Sequence, residues 1–343
     1  LEDDRAAMWR WVLRLYDDVD DEAGRAHARW LLALVLFDTD ESPAAAPLAE
    51  QALEGFRRIG DDWGMAAALN VLGWTALARS DLAEAKRMSE QSLALFRRLG
   101  DRWGQVRADD LLGVLAEAAG DVDRARSLHR DGLHLAEEIG LWPAVADHLG
   151  RLGRLATLEG DFAAADTLNH RALRLARDLA FEHGVEFAHV GLGLSARRQG
   201  RLDEAERHLQ VGADSYRADG FRPGLAFALA ELGFVAELRG DEHSARARHL
   251  EGLAAARASA DPRSVALAFE GLAGVAALAG EVADAARLLG AATAVRASVG
   301  APLPPVERGD VDRITAAARS VLGDEDFATA FWRGEAQGLG AEP

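Results

Sequence analysis

Small and apolar residues recur along this chain with a fixed spacing of 40 residues. An alanine follows each small residue of one column after twelve positions, as Ala85 follows Gly73 and Ala125 follows Gly113. Apolar positions that repeat at helical spacing predict amphipathic helices. Paired small residues let two helix axes approach closely, so the pattern predicts helical hairpins. Five Leu-Gly pairs stand in register: Leu72-Gly73, Leu112-Gly113, Leu152-Gly153, Leu192-Gly193 and Leu232-Gly233.

Turn signals divide the chain about every 20 residues. Glycine adopts the left-handed conformation that ends a helix, and a following aspartate caps the next one. The segments of about 16 residues between these signals are long enough for helices of four to five turns. The glycines that mark the turns include Gly60, Gly100, Gly120, Gly140, Gly160, Gly200, Gly220, Gly240, Gly280 and Gly300.

The spacing predicts an all-α fold, a tetratricopeptide-like superhelical solenoid of 40-residue helix-turn-helix units with a C-terminal helical cap. The usual tetratricopeptide unit has about 34 residues. We expect residues 1–20 to form a partial repeat helix that caps the N-terminal end. Residues 21–300 then form seven repeats, and 301–343 form capping helices and a tail. The incomplete first unit suggests a fragment of a longer array.

Three prolines, at positions 302, 304 and 305, end the repeat register. Proline cannot continue a helix, so a new element must begin after them. Two helices are expected near 306–322 and 324–338. Phe327, Phe331 and Trp332 form an apolar face that we expect to cover the last repeat.

Composition excludes several classes of site and partner. The absence of cysteine excludes disulfides, thiolate metal sites and cysteine nucleophiles. A formal net charge of −17 argues against direct nucleic-acid binding, which needs a basic surface. No apolar run approaches the roughly 20 residues that cross a bilayer, and the first residues carry no secretory signal. We therefore expect a cytoplasmic location and no membrane partner.

Two sets of motifs carry a resemblance to a known family. The C-terminal set is Ala285–Ala292, Gly300–Arg308 and Phe331-Trp332-Arg333-Gly334, and the repeats contain Ile59–Gly64 and Leu99–Gly104. Together they resemble the tetratricopeptide sensor region of actinobacterial LuxR-type and SARP-type transcriptional regulators and related signal-transduction (STAND) ATPases. The chain has no G-x-x-x-x-G-K-[ST] loop. The resemblance therefore implies a sensor array whose partners include ATPase or effector domains upstream, which are absent from this chain.

The first helices of tetratricopeptide units line a concave groove, and the repeat register selects the residues that face it. Glu237 and Glu270 also lie at groove-facing positions of the repeat. The predicted ligand or partner groove consists of Asn70, Trp74, Arg107, Asp110, Glu117, Asp147, Arg151, Arg154, Phe227, Glu231 and Phe234.

Two arginines stand out in this set. Arg151 and Arg154 lie three residues apart on one helix, a spacing that allows joint contact with a carboxylate or phosphate. The alternative is that they pair with Asp110 and Asp147 of neighbouring helices. Trp74 is open to two interpretations, a ligand contact or packing between helices.

Histidine and serine give no indication of chemistry. His129 and His134 are five residues apart, so they do not face each other on one helix. His170, His208 and His249 are expected near the solvent side of second helices. We predict no metal site, no cofactor, no catalytic residue and no enzymatic activity.

The sequence favours a sensor or autoregulatory domain of a multidomain bacterial transcriptional regulator. Its groove would bind an effector, a peptide or a partner domain. The alternative is a protein–protein interaction scaffold that binds a partner helix or peptide without sensing a small molecule. Oligomerisation is compatible with either interpretation.

Overall fold

The computed structural model describes residues 2–16, 19–37 and 44–342, with side chains from residue 6 onward. Within these ranges there is no β-strand, and the prediction of an all-α chain is confirmed. The first and last predicted segments include positions 1, 17, 18 and 343, which lie outside the described residues. The helices are α1 (Glu2–Leu15), α2 (Glu22–Phe37), α3 (Ala45–Ile59), α4 (Asp62–Ala78), α5 (Leu82–Leu99), α6 (Arg102–Ala118), α7 (Val122–Ile139), α8 (Trp142–Glu159), α9 (Phe162–Asp178), α10 (Glu182–Arg198), α11 (Leu202–Ala218), α12 (Arg222–Leu238), α13 (Glu242–Ala258), α14 (Pro262–Leu278), α15 (Val282–Ser298) and α16 (Gly309–Gln337).

The chain forms two compact units. Unit 1 comprises Leu1–Glu117, Asp123–His148 and Asp219–Phe221, and unit 2 comprises Ala118–Val122, Leu149–Ala218 and Arg222–Pro343. The division into seven repeats stays a prediction. None of the helices described is long and apolar enough to span a membrane.

The turns follow the glycine–aspartate signals. Gly60 ends α3 with φ 72°, and the Asp61 side chain accepts a hydrogen bond of 2.9 Å from the amide of Gly64. Ser80, Ala180 and Ala260 adopt the same left-handed conformation without being glycine, with φ between 50° and 61°. A side chain in that conformation costs about 1–2 kcal/mol, so these three turns are strained.

The core of unit 1 is built from alanine, leucine and a group of aromatic rings. Trp63 and Trp103 begin successive first helices, and their rings stack with centroids 6.0 Å apart. Trp30 meets Trp63 edge to face at 5.3 Å, and Phe96 packs against both Trp63 and Trp103. The tryptophans therefore join one helical hairpin to the next.

In unit 2 the helix α16 covers the last hairpin. Its backbone breaks at Gly323 (φ 77°, ψ 170°), so two helical stretches meet at a kink. Phe327 is buried in the hydrophobic core that α16 shares with the last hairpin, and Phe331 packs beside this core. The expectation for Trp332 was wrong, because its side chain is 65% exposed. Trp332 lies next to Phe331 in sequence, so it projects from a different side of the helix.

The expected position of His249 was also wrong. The ring is fully buried, and neither of its nitrogens has a hydrogen-bond partner among the described residues. It fits between the helices because Gly233 and Gly271 carry no Cβ where the ring lies. Phe234 meets it edge to face at 5.1 Å.

Unit 2 should therefore lose stability in mild acid. Burial lowers the pKa of His249 to about 3, while Asp310 raises it and Arg197 lowers it further. The unfolded chain binds this proton below pH 6.5, its ordinary pKa, so stability falls as the pH drops toward 3. Between pH 7 and pH 5, His249 should cost about 2 kcal/mol of unfolding free energy.

Urea unfolding at both pH values measures this loss. In the variant His249→Leu this contribution should disappear, because Leu209 and Leu289 fill the matching positions of other hairpins. His189, whose pKa burial also lowers to about 4, should contribute a loss of similar size, so the variant should keep about half of the acid sensitivity that the two histidines cause together. Full acid sensitivity in the leucine variant would contradict the assignment.

Candidate binding surface

A charged surface on the first helices of unit 2 contacts the segment that follows the last hairpin. We call residues 304–313 the C-terminal segment. It contains the 3-10 turn Pro305–Glu307 and the first residues of α16. The helices that it contacts are α8, α10 and α12, each the first helix of a hairpin.

On α8, Arg154 binds Glu307 of the C-terminal segment through an ion pair of 2.6 Å. The same guanidinium lies over the ring of Phe227, 5.7 Å from its centroid. Both charged side chains are about one-quarter exposed or less. The arginine thus joins a carboxylate and an aromatic ring, as arginine does at many interfaces.

Arg197 of α10 occupies the centre of the surface. Its Nε donates to Glu231 at 2.6 Å, and one terminal nitrogen donates to both oxygens of Asp310 at 3.0 and 3.2 Å. The guanidinium also lies 5.2 Å from the centroid of Phe234. Only 4% of the arginine side chain is exposed.

The pKa values reflect this burial. Burial alone would lower the pKa of Arg197, but Glu231 and Asp310 raise it overall. Burial likewise favours a higher pKa for Asp310, yet Arg197 and Arg313 hold that pKa below its ordinary value. Arg197, Glu231 and Asp310 therefore form one charged cluster, and removing Arg197 leaves its two carboxylates buried with less compensating charge.

On α12, Glu237 accepts a hydrogen bond of 2.6 Å from Arg313, which also contacts Asp310 at 3.3 Å. Burial raises the pKa of Glu237, although the contact with Arg313 opposes that shift. Glu270 of α14 binds Arg296 through both of its oxygens, at 2.6 and 2.9 Å. That pair joins the two helices of one hairpin.

The contacts of the C-terminal segment advance regularly along the repeats. Glu307 contacts α8, Asp310 contacts α10 and Arg313 contacts α12. Pro304 lies beside Gly120, where an added Cβ would stand 3.2 Å from the proline Cβ. Each step of three residues in the segment from Glu307 to Arg313 therefore reaches the first helix of the next hairpin.

The other predicted groove residues have varied surroundings. In unit 1, Asn70 is buried and donates to the carbonyl oxygen of Arg107 at 3.2 Å, and Trp74 packs against Phe37 with centroids 6.2 Å apart. Asp147 is half-buried. In unit 2, Arg151 lies over the ring of Phe187 at 4.7 Å. A ligand-binding role for these residues stays a prediction.

The structure thus brings Arg154, Phe227, Glu231 and Phe234 onto one surface. In unit 1 it brings Asp110 and Glu117 to His129, at 3.9 and 3.0 Å. Sequence reasoning missed Arg197, although it stands 80 residues after Glu117 in the same column. The repeat register was the signal that could have found it.

Residues 24–98 match the family model of the tetratricopeptide repeat. No curated protein matches the chain. The matched residues run from Gly24 in α2 to Arg98 in α5.

Solved structures share the fold over most of the chain. A Rap protein complexed with competence and sporulation factor is 12% identical, with a TM-score of 0.72, over 98% of this chain and 97% of that one. NprR in complex with its cognate peptide NprX is 14% identical, with a TM-score of 0.57, over 93% and 90%.

A third structure has the same fold within a longer chain. A STAND protein with a tetratricopeptide repeat sensor from Pyrococcus horikoshii is 13% identical, with a TM-score of 0.52. The match covers 95% of this chain and 46% of that protein. The chain therefore has an all-α fold of tetratricopeptide-like units, and residues 24–98 match the tetratricopeptide repeat family.

Proposed function

We propose that this chain is a non-enzymatic regulatory module that binds a peptide segment on the first helices of unit 2. The observation that carries the proposal is the docking of the C-terminal segment through Glu307, Asp310 and Arg313. A surface that holds a segment of its own chain by charged side chains has the chemistry to hold a similar segment of a partner. The C-terminal segment then competes with that partner.

The charges on the surface define the chemistry of this partner. Arg154 and Arg197 bind carboxylates, while Glu237 binds a guanidinium. A complementary peptide carries two acidic residues three positions apart and a basic residue three positions further on. The net charge of −17 does not prevent this, because the carboxylates meet two locally placed arginines.

Similarity to other proteins supports a regulatory role. NprR is in complex with a peptide, and the protein from Pyrococcus horikoshii carries its tetratricopeptide repeats as a sensor. We propose the same role here, as the cytoplasmic sensor region of a multidomain LuxR-type or SARP-type bacterial regulator.

The alternative is an interaction scaffold without effector sensing. Purification from its host with mass spectrometry separates the two, since a stoichiometric protein partner favours the scaffold and a bound peptide or metabolite favours the sensor.

A labelled peptide with the sequence of residues 303–313 tests the binding surface. We expect weak binding to the wild-type chain, where the C-terminal segment competes. The double variant Glu307→Ala, Asp310→Ala loosens that segment, so the fraction of chains with an open binding surface rises. It should bind the peptide at least about tenfold more tightly. Fluorescence anisotropy measures both affinities.

Two controls make the result specific. Arg308 and Asp312 pair with each other on the exposed side of the same segment, so replacing both by alanine should leave the affinity at the wild-type level. Adding Arg154→Ala to the double variant should remove the gain. A double variant that folds and binds the peptide no better than the wild type would refute the proposal.

A further inference from the structure

Two histidines and an aspartate from three successive helices of unit 1 meet in its interior. His129 of α7 and His148 of α8 approach through their Nδ1 atoms at 3.3 Å, and both rings are buried. Oδ1 of Asp110 on α6 lies 3.9 Å from Nδ1 of His129. One ligand atom from each of the three residues lies within 4.8 Å of the other two.

The chain departs from its own repeat to build this cluster. His148 stands where the helices α2, α4, α6, α10, α12 and α14 have a buried alanine, and Gly132 provides the space for its ring. An added Cβ at Gly113 would likewise overlap the ring of His129. The six alanines are Ala28, Ala68, Ala108, Ala188, Ala228 and Ala268.

A carboxylate fixes the orientation of one imidazole. Nε2 of His129 lies 3.0 Å from Oε1 of Glu117, a buried acidic side chain. We assign the proton of neutral His129 to Nε2, which donates it to this carboxylate. The lone pair of Nδ1 then points toward His148 and Asp110. Metal-binding histidines are oriented by carboxylates in this way.

We propose that Asp110, His129 and His148 bind a zinc ion, with Glu117 holding His129 in the ligating tautomer. Two nitrogens on one tetrahedral zinc, each about 2.0–2.1 Å from the metal, lie about 3.3 Å apart. The two Nδ1 atoms have that separation. Two imidazoles and one carboxylate are a ligand set that zinc accepts, and they leave a fourth position for water.

The second histidine pair of the chain lacks these features. In unit 2, Nδ1 of His189 and Nδ1 of His208 lie 2.9 Å apart, but Arg177 contacts His189 at 3.2 Å. A guanidinium beside a ligand repels a metal cation. The zinc site therefore belongs to unit 1, where the described contacts of His129 include two carboxylates.

Bound zinc would link α6, α7 and α8, which are both helices of one hairpin and the first helix of the next. This role is independent of peptide binding in unit 2. The metal stabilises the folded chain because the unfolded chain does not hold the three ligands together. The prediction of no metal site rested on histidines within one helix, whereas the histidines of this cluster lie 19 residues apart on different helices.

Calorimetric titration of the full chain with zinc chloride, after treatment with EDTA, tests the proposal. We expect one strongly bound ion per chain and a rise in melting temperature that EDTA reverses. His148→Ala restores the residue of the other hairpins and should lower the affinity at least about 100-fold. Glu117→Gln should lower it about 10- to 100-fold, as is typical for residues that orient a ligand.

The matched control is His249→Leu. His249 occupies the same repeat position as His129, 120 residues later, but lies in unit 2. Its removal should leave the zinc affinity unchanged within about twofold. Cobalt provides a second measurement, because its visible absorption should appear in the wild type and be lost in Asp110→Asn. Absence of strong binding, or wild-type affinity in His148→Ala, would overturn the assignment.

Discussion

Replacing Gly334 by alanine should release α16 from the last hairpin and destabilise unit 2 by about 3 kcal/mol or more. An added Cβ at Gly334 would overlap the carbonyl oxygen of Arg287 on α15, and one at Gly290 would overlap the carbonyl oxygen of Phe331 on α16. The obstacle in both cases is backbone, which cannot move aside as a flexible side chain can. The two helices would have to separate.

Separation would expose the apolar side chains that α16 buries. Ile314, Ala318 and Phe327 lie in the same core as Leu288 and Leu289 of α15. Hydrogen exchange should show lost protection across residues 309–337, and thermal unfolding should begin at a lower temperature. Gly290→Ala should produce the same two effects, because it opposes the same helix crossing.

Gly252→Ala is the matched control. Gly252 also lies inside a helix, but a Cβ there would be no closer than 3.4 Å to its nearest neighbour, which is ordinary contact. Alanine is the better helix former by about 1 kcal/mol, so this change should stabilise the chain. The explanation would be wrong if Gly334→Ala and Gly252→Ala changed stability in the same direction.

The repeat register predicted the fold because the turn residues and the 40-residue spacing of small and apolar positions indicate the same helices. Gly60 and Asp61 end one helix and cap the next, as their residue types require. Ser80, Ala180 and Ala260 turn in the same way without a glycine, so the turn there is imposed by the packing of the flanking helices. A search for glycine alone would have missed these three turns.

Departures from the repeat carried more functional information than the repeat itself. Gly290 stands in a column that holds Glu50, Glu90, Arg130 and other large residues, because α16 covers this one position. His148 stands in a column of alanines, and its ring meets His129 of the neighbouring helix α7. Each departure was readable in the sequence, but the partner that explains it comes from another helix.

The segment that docks on the binding surface could not be predicted from the sequence. Arg154 and Glu307 are separated by 153 residues, and Arg197 and Asp310 by 113. Charged residues pair in many ways, and neither periodicity nor spacing selects among distant partners. The sequence therefore indicated Arg154 and Glu231 as binding residues but not the segment that occupies the surface.

Replacement of Arg197 by methionine should cost about 3–5 kcal/mol of unfolding free energy. The variant keeps much of the side-chain volume but leaves Glu231 buried without its cation and Asp310 with only Arg313, at 3.3 Å. Only 6% and 16% of these two acidic side chains are exposed, so water cannot replace the lost contacts. Urea unfolding followed by circular dichroism measures the loss.

Arg201→Met provides the comparison for this loss. Arg201 also pairs with two carboxylates, Asp166 and Glu204, but its side chain is 38% exposed. Solvent screens such pairs, and their loss should cost no more than about 1 kcal/mol.

Adding Glu231→Gln and Asp310→Asn to Arg197→Met should recover part of the lost stability, since the uncompensated negative charges are gone. If the triple variant were less stable than Arg197→Met alone, uncompensated charge would not be the cause, and loss of arginine packing on Phe234 would explain the effect instead.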